Sequence, residues 1–134
     1  MTAWAPVDDR LFEWDGALEP GAPIALVASR CEQCGRHEFP AHEICPACGG
    51  SASRVRLSRA ARVSQWTTVN HPPPGGLVEV PYSVAVADFP EGISVLGPVR
   101  KDEPAREVAL GHQVEVVAVE VGERIGYAFG IVGP

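Results

Sequence analysis

Beyond residue 52 the chain breaks into short Val- and Thr-rich segments set apart by turn residues, and several alternate with a period of two. In the segment 62–70, Val63, Gln65, Thr67 and Val69 would share one face, with Ser64, Trp66 and Thr68 on the other. The pattern predicts strands over 53–57, 62–70, 82–89, 93–96, 113–121 and 125–131. Pro90-Glu91-Gly92 closes one tight hairpin and Gly122-Glu123-Arg124 another. Upstream, the apolar run 23–28 opens a further strand over 24–29. No sustained helical period follows residue 50. Five or six short strands joined by short turns predict a mainly all-β chain whose C-terminal part is a five-stranded OB-fold barrel.

Two stretches interrupt the alternation. Residues 70–76 read Asn-His-Pro-Pro-Pro-Gly-Gly, stiff in the first half and free in the second, which makes this long loop a candidate lip of a binding site. Residues 100–111 are charged and contain Pro104, and they fall where an OB barrel has its irregular crossover between third and fourth strands. Ahead of the strands, residues 1–22 carry Trp4, Leu11, Phe12 and Trp14 among their large apolar groups. Leu11, Phe12 and Trp14, with Phe39 further on, either cover the chain's own core or face a partner subunit. The organisation expected is an N-terminal arm over 1–28, a metal-binding ribbon over 29–52 and the barrel over 53–134.

The chemistry concentrates at Cys31, Cys34, Cys45 and Cys48, two CxxC turns each followed by a glycine, Gly35 and Gly49. Two residues between thiolates let both sulfurs of a turn face one ion, and the glycine admits the left-handed conformation that aims backbone N–H groups at them. Four thiolates in a tetrahedron suit Zn²⁺, and iron accepts the same set. Disulfides need an oxidising compartment, and a redox CxxC stands alone at a helix start, so both fit this duplicated pattern poorly. His37 and His42 lie in the bridge between the turns but are not needed as ligands. A ribbon this short cannot fold on apolar burial alone, and metal binding worth roughly 10–16 kcal/mol is coupled to folding in such units.

Composition places the chain among globular proteins, with 46% hydrophobic and 21% charged residues. No basic segment followed by an apolar stretch opens it, and the longest apolar run falls well short of the ~20 residues that span a bilayer. With all four cysteines engaged by metal, a cytoplasmic location is expected. The net charge of −6 is unevenly spread: Arg54, Arg56, Arg59 and Arg62 form an island without acids over 51–78, and both flanks are acidic. An acidic chain with 7% aromatics is a poor nucleic-acid binder, which makes a zinc-ribbon/OB nucleic-acid module the weaker alternative. A flat polyanion is a better match for the island, with Trp66 and His71 to stack or hydrogen-bond and Arg100 and Lys101 as further cations. Nucleophile elbows and phosphate-binding glycine loops are missing, so the chain is expected to be non-catalytic on its own.

Several motifs in order resemble a known family: Ser29-Arg30-Cys31 through Gly35, Phe39-Pro40, Cys45-Pro46-Ala47-Cys48-Gly49, Gln65-Trp66-Thr67-Thr68-Val69, Pro81-Tyr82-Ser83-Val84, Phe89-Pro90-Glu91-Gly92 and Leu110-Gly111-His112-Gln113-Val114. The chain is similar, over about residues 11–129, to the zinc-ribbon/OB-fold proteins associated with acyl-CoA metabolism. It departs from them in having Pro40-Ala41 where two prolines are usual, and Ala60-Ala61-Arg62 where a glycine commonly opens the first barrel strand. The resemblance implies a rubredoxin-like zinc ribbon, an OB barrel and an accessory role. Such proteins pair with thiolase-like enzymes, steroid side-chain aldolases or hot-dog hydratases and help hold the coenzyme A part of the substrate. An assembly with two copies of each subunit is the corresponding expectation.

Overall fold

In the computed structural model, residues 4–71, 81–100 and 108–133 are described, and among them are nine strands and no helix. β1 (Phe12–Trp14), β2 (Ile24–Cys31), β3 (His37–Glu38) and β4 (Ala52–Arg56) form one sheet centred on β2. β5 (Ala60–Val69), β6 (Tyr82–Asp88), β7 (Ser94–Pro98), β8 (Gln113–Val121) and β9 (Arg124–Gly133) form the other, in the order β7-β6-β5-β8-β9. Its ladders are antiparallel throughout. The sheet curls until its two outer strands meet: Val99, just past β7, bridges Phe129 in parallel, and the Arg100 N–H donates to the Phe129 carbonyl at 2.9 Å. This is the five-stranded OB-type barrel the alternation predicts.

β2 is buried at every position but Arg30, the mark of a strand covered on both faces. Its Ile24, Leu26 and Ala28 enter a hydrophobic cluster with Phe12, Leu57, Val63, Ala85, Phe89, Val116 and Phe129. One core therefore runs from the arm through the ribbon sheet into the barrel. The backbone follows: Gly21 N–H donates to Ala118 O at 2.8 Å, Ala118 N–H to Ala22 O at 3.1 Å, and Leu57 N–H to Leu26 O at 2.9 Å. The arm is also held to the barrel, since Val7 N–H reaches Ile125 O and Ile125 N–H reaches Ala5 O, both at 2.8 Å. Phe12 is 1% exposed and belongs to this core, whereas Leu11, Trp14 and Phe39 are half-buried against its rim.

Two sequence expectations shift. The strand expected over 53–57 is β4, and it pairs with β2 (Val27 to Cys31 against Arg56 to Ala52) instead of joining the barrel sheet. The second shift is in β5. A bulge there sets Val63 opposite Ala87 and Gln65 opposite Val86, so Val63 faces the core while Gln65, Thr67 and Val69 face outward. The single inserted residue, Ser64, breaks the period that the sequence displays.

Ribbon and barrel also meet through side chains. Phe39 stands edge-on to Tyr127 at 5.9 Å between ring centroids, Tyr127 packs on Phe129 at 6.1 Å, and Phe129 on Phe89 at 6.3 Å. Burial pushes the Tyr127 phenol above its usual value, and its hydroxyl donates to Leu96 O at 2.7 Å, fixing the β7 edge. Glu91, in the β6–β7 turn, accepts from the Ser58 hydroxyl at 2.7 Å and from the Ser58 N–H at 3.2 Å. That clamp ties the β4–β5 link to the far hairpin. Burial works to raise the Glu91 carboxyl, but the two Ser58 donors outweigh it and hold the group below its ordinary 4.5.

A Cβ at Gly97 would lie 2.6 Å from Tyr127 Cε2 and 2.9 Å from Phe129 Cε2. Gly97→Ala should therefore destabilise the fold by about 1–3 kcal/mol in urea titrations, because two packed rings must move. A second expectation concerns acid. A carboxylate held low in the folded state contributes stability that is complete above its unfolded value and is lost as pH falls through its folded value. Glu91→Gln should flatten the fall of Tm between roughly pH 6 and pH 3, leaving a Tm near neutrality lower than wild type.

Candidate metal centre

The four thiols converge. One sulfur from each of Cys31, Cys34, Cys45 and Cys48 lies within 4.8 Å of the other three. The two CxxC turns are near copies: Gly35 N–H donates to Cys31 O at 3.0 Å and Gly49 N–H to Cys45 O at 2.9 Å, with both glycines at φ 76°. That left-handed backbone costs any Cβ-bearing residue strain, which accounts for the glycine after each turn. Cys31 closes β2, and Ala52, which opens β4, pairs with it, so the ladder fixes the spacing of the two knuckles.

Sγ–Sγ separations are 3.4 Å for Cys31–Cys48 and 3.7 Å for Cys34–Cys45. Both are too long for disulfides, and all four cysteines are free. A tetrahedron with metal–sulfur bonds of ~2.3 Å places sulfurs roughly 3.8 Å apart, so this donor set fits a zinc-sized ion with little adjustment. The electrostatics favour a cation as well. The Cys34 N–H, 3.4 Å from Cys31 Sγ, leads in pulling the Cys31 thiol down to about 6. At Cys48 the Gly50 N–H pulls downward, yet the sulfurs of Cys31, Cys34 and Cys45 push the thiol up to about 12. Crowded sulfurs of this kind ionise together only around a positive charge. Among the described residues the gathered donors are the four cysteines, and the backbone N–H of His42 donates to the buried Ser29 Oγ at 2.9 Å, bracing the bridge between the turns.

The arginines of the island do not converge. Arg54 and Arg56 share one face of β4, where they reach Glu13 at 3.3 Å and Asp15 at 3.4 Å. Arg59 faces Glu115 at 3.9 Å, and Arg62 donates to Gly111 O at 3.0 Å. All four are exposed, and such surface pairs are worth about 0–1 kcal/mol. The open depression of about 310 Å³ beside Arg56 is lined by Asp9, Glu13 and Asp15 as well as Phe12 and Trp14, an acidic setting for a phosphate. Trp66 is 45% exposed and His71 is exposed at the end of its segment. The Arg100 guanidinium lies over Gly130, where a Cβ would come within 3.0 Å of its Nη2. Lys101 and most of the proline loop, 72–80, lie outside the described residues.

With this geometry in hand, the relatives are informative. The family model described as ChsH2, rubredoxin-like zinc ribbon domain matches residues 14–54, and the one described as ChsH2, C-terminal OB-fold domain matches residues 54–119. A DUF35 domain-containing scaffold protein of Pyrococcus furiosus is 34% identical over 73% of this chain and 71% of its own. A protein of the same description from Methanothermobacter thermautotrophicus is 31% identical over 78% of this chain and 83% of its own. The chain belongs to the DUF35 family.

Among solved structures, a chain of the Ltp2-ChsH2(DUF35) aldolase superposes with a TM-score of 0.65 at 26% identity, covering 80% of this chain and 84% of that one. A DUF35 protein from Sulfolobus solfataricus gives 0.53 at 19% identity, covering 81% and 76%, a likeness of fold alone. In this DUF35 protein the sequence located the thiolate site and missed the joints that hold it. Glu91, Ser58, Tyr127 and Gly97 gave no signal beyond the Glu-Gly turn, because their partners are remote in sequence.

Replacing Cys31 or Cys48 by Ser should abolish stoichiometric metal in the purified chain, measured by elemental mass spectrometry. The loss should extend beyond the knuckles and lower the Tm of the whole unit, because Cys31 ends the strand that threads the shared core.

Proposed function

We propose that this DUF35 protein is a non-catalytic accessory subunit, held together by Zn²⁺, that docks a thiolase-like enzyme or aldolase and helps hold the coenzyme A part of its substrate. The observation that carries this reading is the match over 80% of the chain to a chain of an aldolase whose composition is Ltp2 with a DUF35 component. Relatives described as scaffold proteins support it further. The four-thiolate site is closed on all sides by protein sulfur, as a structural metal site is, and leaves no position for substrate. Its task is to brace the ribbon, and reaction chemistry falls to the partner.

The exposed arginines are compatible with a polyanion. Arg59 and Arg62 flank the start of β5, each with only a weak local partner that a phosphate can displace through charge-assisted hydrogen bonds. A lipid or steroid side-chain acyl-CoA is the substrate class that fits such a partner. Among the described residues no helix is long and apolar enough to cross a membrane, and a cytoplasmic setting fits four reduced thiols.

Co-expression with a candidate thiolase-fold subunit from the same organism, followed by native mass spectrometry with and without acyl-CoA, tests the reading. The expected product is a hetero-oligomer with two copies of each chain that retains acyl-CoA better than the enzyme subunit alone. A chain that stays solitary beside that subunit, or turns over acyl-CoA unaided, overturns it.

A further inference from the structure

β5 outruns its neighbour. Its pairing with β8 covers Ala60 to Arg62 and closes with the Val63 N–H on His112 O at 3.0 Å and the Gly111 N–H on Val63 O at 2.8 Å. From Gln65 to Val69 the strand pairs with β6 only. Beyond Val63 the strand runs past the start of β8 at Gln113, leaving one long edge without a backbone partner among the described residues. Gln65, Trp66, Thr67 and Thr68 are all exposed, so this part of the β5–β6 hairpin stands clear of the barrel with solvent on both sides.

Such an edge is usually guarded. Charged side chains, prolines or a covering loop blunt the exposed strands of natural sheets. Here residues 63–71 contain no charged group and no proline, in a chain with 21% charged residues. Trp66, Thr67, Thr68 and Val69, which favour extended backbone, make up most of the edge instead. The register places Gln65, Thr67 and Val69 on the same outward face as Tyr82, Val84 and Val86 of β6 and Leu96 and Pro98 of β7. Leu96, on β7 at the far side of that face, is 62% exposed. A row of unpaired N–H and C=O groups beside a half-apolar strip is satisfied by one kind of occupant, another extended backbone.

We infer that the Gln65–Val69 edge of β5 is a strand-addition site for an extended segment of the partner enzyme. This rests on the accessory-subunit reading and names the element that does the docking. The segment carries apolar residues at alternate positions, on the side that continues the Val84, Val86 and Leu96 face, and no like charge opposite the edge. A partner is favoured over a second copy of this chain because two bodies of net charge −6 repel as they approach, whereas the uncharged edge opposes neither sign in a partner.

Hydrogen exchange on the free chain and on its complex with the co-expressed thiolase-fold subunit tests this. In the complex, the outward-facing amides among residues 65–69 should exchange at least tenfold more slowly, in an every-second-residue pattern added to the protection β6 already gives. Thr67→Lys should leave the Tm of the isolated chain unchanged and weaken the complex at least tenfold. A complex that forms while residues 65–69 keep the exchange of the free chain overturns the strand-addition site and leaves the accessory role standing. Failure of the wild-type chain to form any complex overturns both. Protection of the same amides in a homodimer without the enzyme subunit overturns the choice of occupant.

Discussion

The structure depends on the continuity of β2. At one end the strand places Cys31 in a four-thiolate cluster, and a few residues earlier it lays Ile24, Leu26 and Ala28 into the core shared with the barrel. A metal-binding ribbon in isolation is a local device whose folding ends at its own turns. Here the ladder from Cys31 to Val27 against Ala52 to Arg56 carries that constraint straight into buried apolar contacts. Whatever orders the knuckles therefore orders the strand on which the barrel rests.

The remaining joints set the angle between ribbon and barrel. Phe39 from the ribbon packs edge-on against Tyr127, whose hydroxyl is committed to Leu96 O, and Gly97 beside it leaves room for the ring. Glu91 and Ser58 close a second contact from the opposite hairpin. A hinge with one point of attachment swings, whereas attachment through a strand, an aromatic stack and a carboxylate clamp leaves few ways to rotate. Rigidity of this sort lowers the ordering cost of any docking surface the chain presents, because loose supports lose binding free energy to ordering.

How much of this was legible in the sequence depended on distance along the chain. The knuckles, the Glu-Gly and Gly-Glu hairpins and most barrel strands are written in residues a few positions apart, and they stand where expected. Non-local choices were not legible. β4 carries Arg54 and Arg56 on an alternating pattern that any edge strand can use, and only the buried face of β2 decides its place. The Ser64 bulge leaves no compositional trace, yet it reverses which side of β5 is outward. The near-continuous run from Ile24 to Ala28 was the one available clue that the segment before the knuckles lies inside the molecule, since a strand with one wet face alternates. The arginine island looked like a single site because its members are close in sequence, but two share a face of β4 and two flank the start of β5, each beside a different acceptor.

That dispersal bears on how the molecule recognises anything. Surface pairs such as Arg54–Glu13 and Arg56–Asp15 gain little and trade easily for other partners, so the charged surface sets the approach of a ligand more than its grip. Durable recognition has to come from groups that water satisfies poorly once they are covered, namely apolar area and backbone hydrogen bonds. In this chain those groups lie together on the β5–β6–β7 side, away from the carboxylates that neutralise the arginines of β4. The strip proposed for docking carries charge only at the end where Arg62 lies opposite Asp88, so a second protein settling on Val84, Val86 and Leu96 would desolvate few ions.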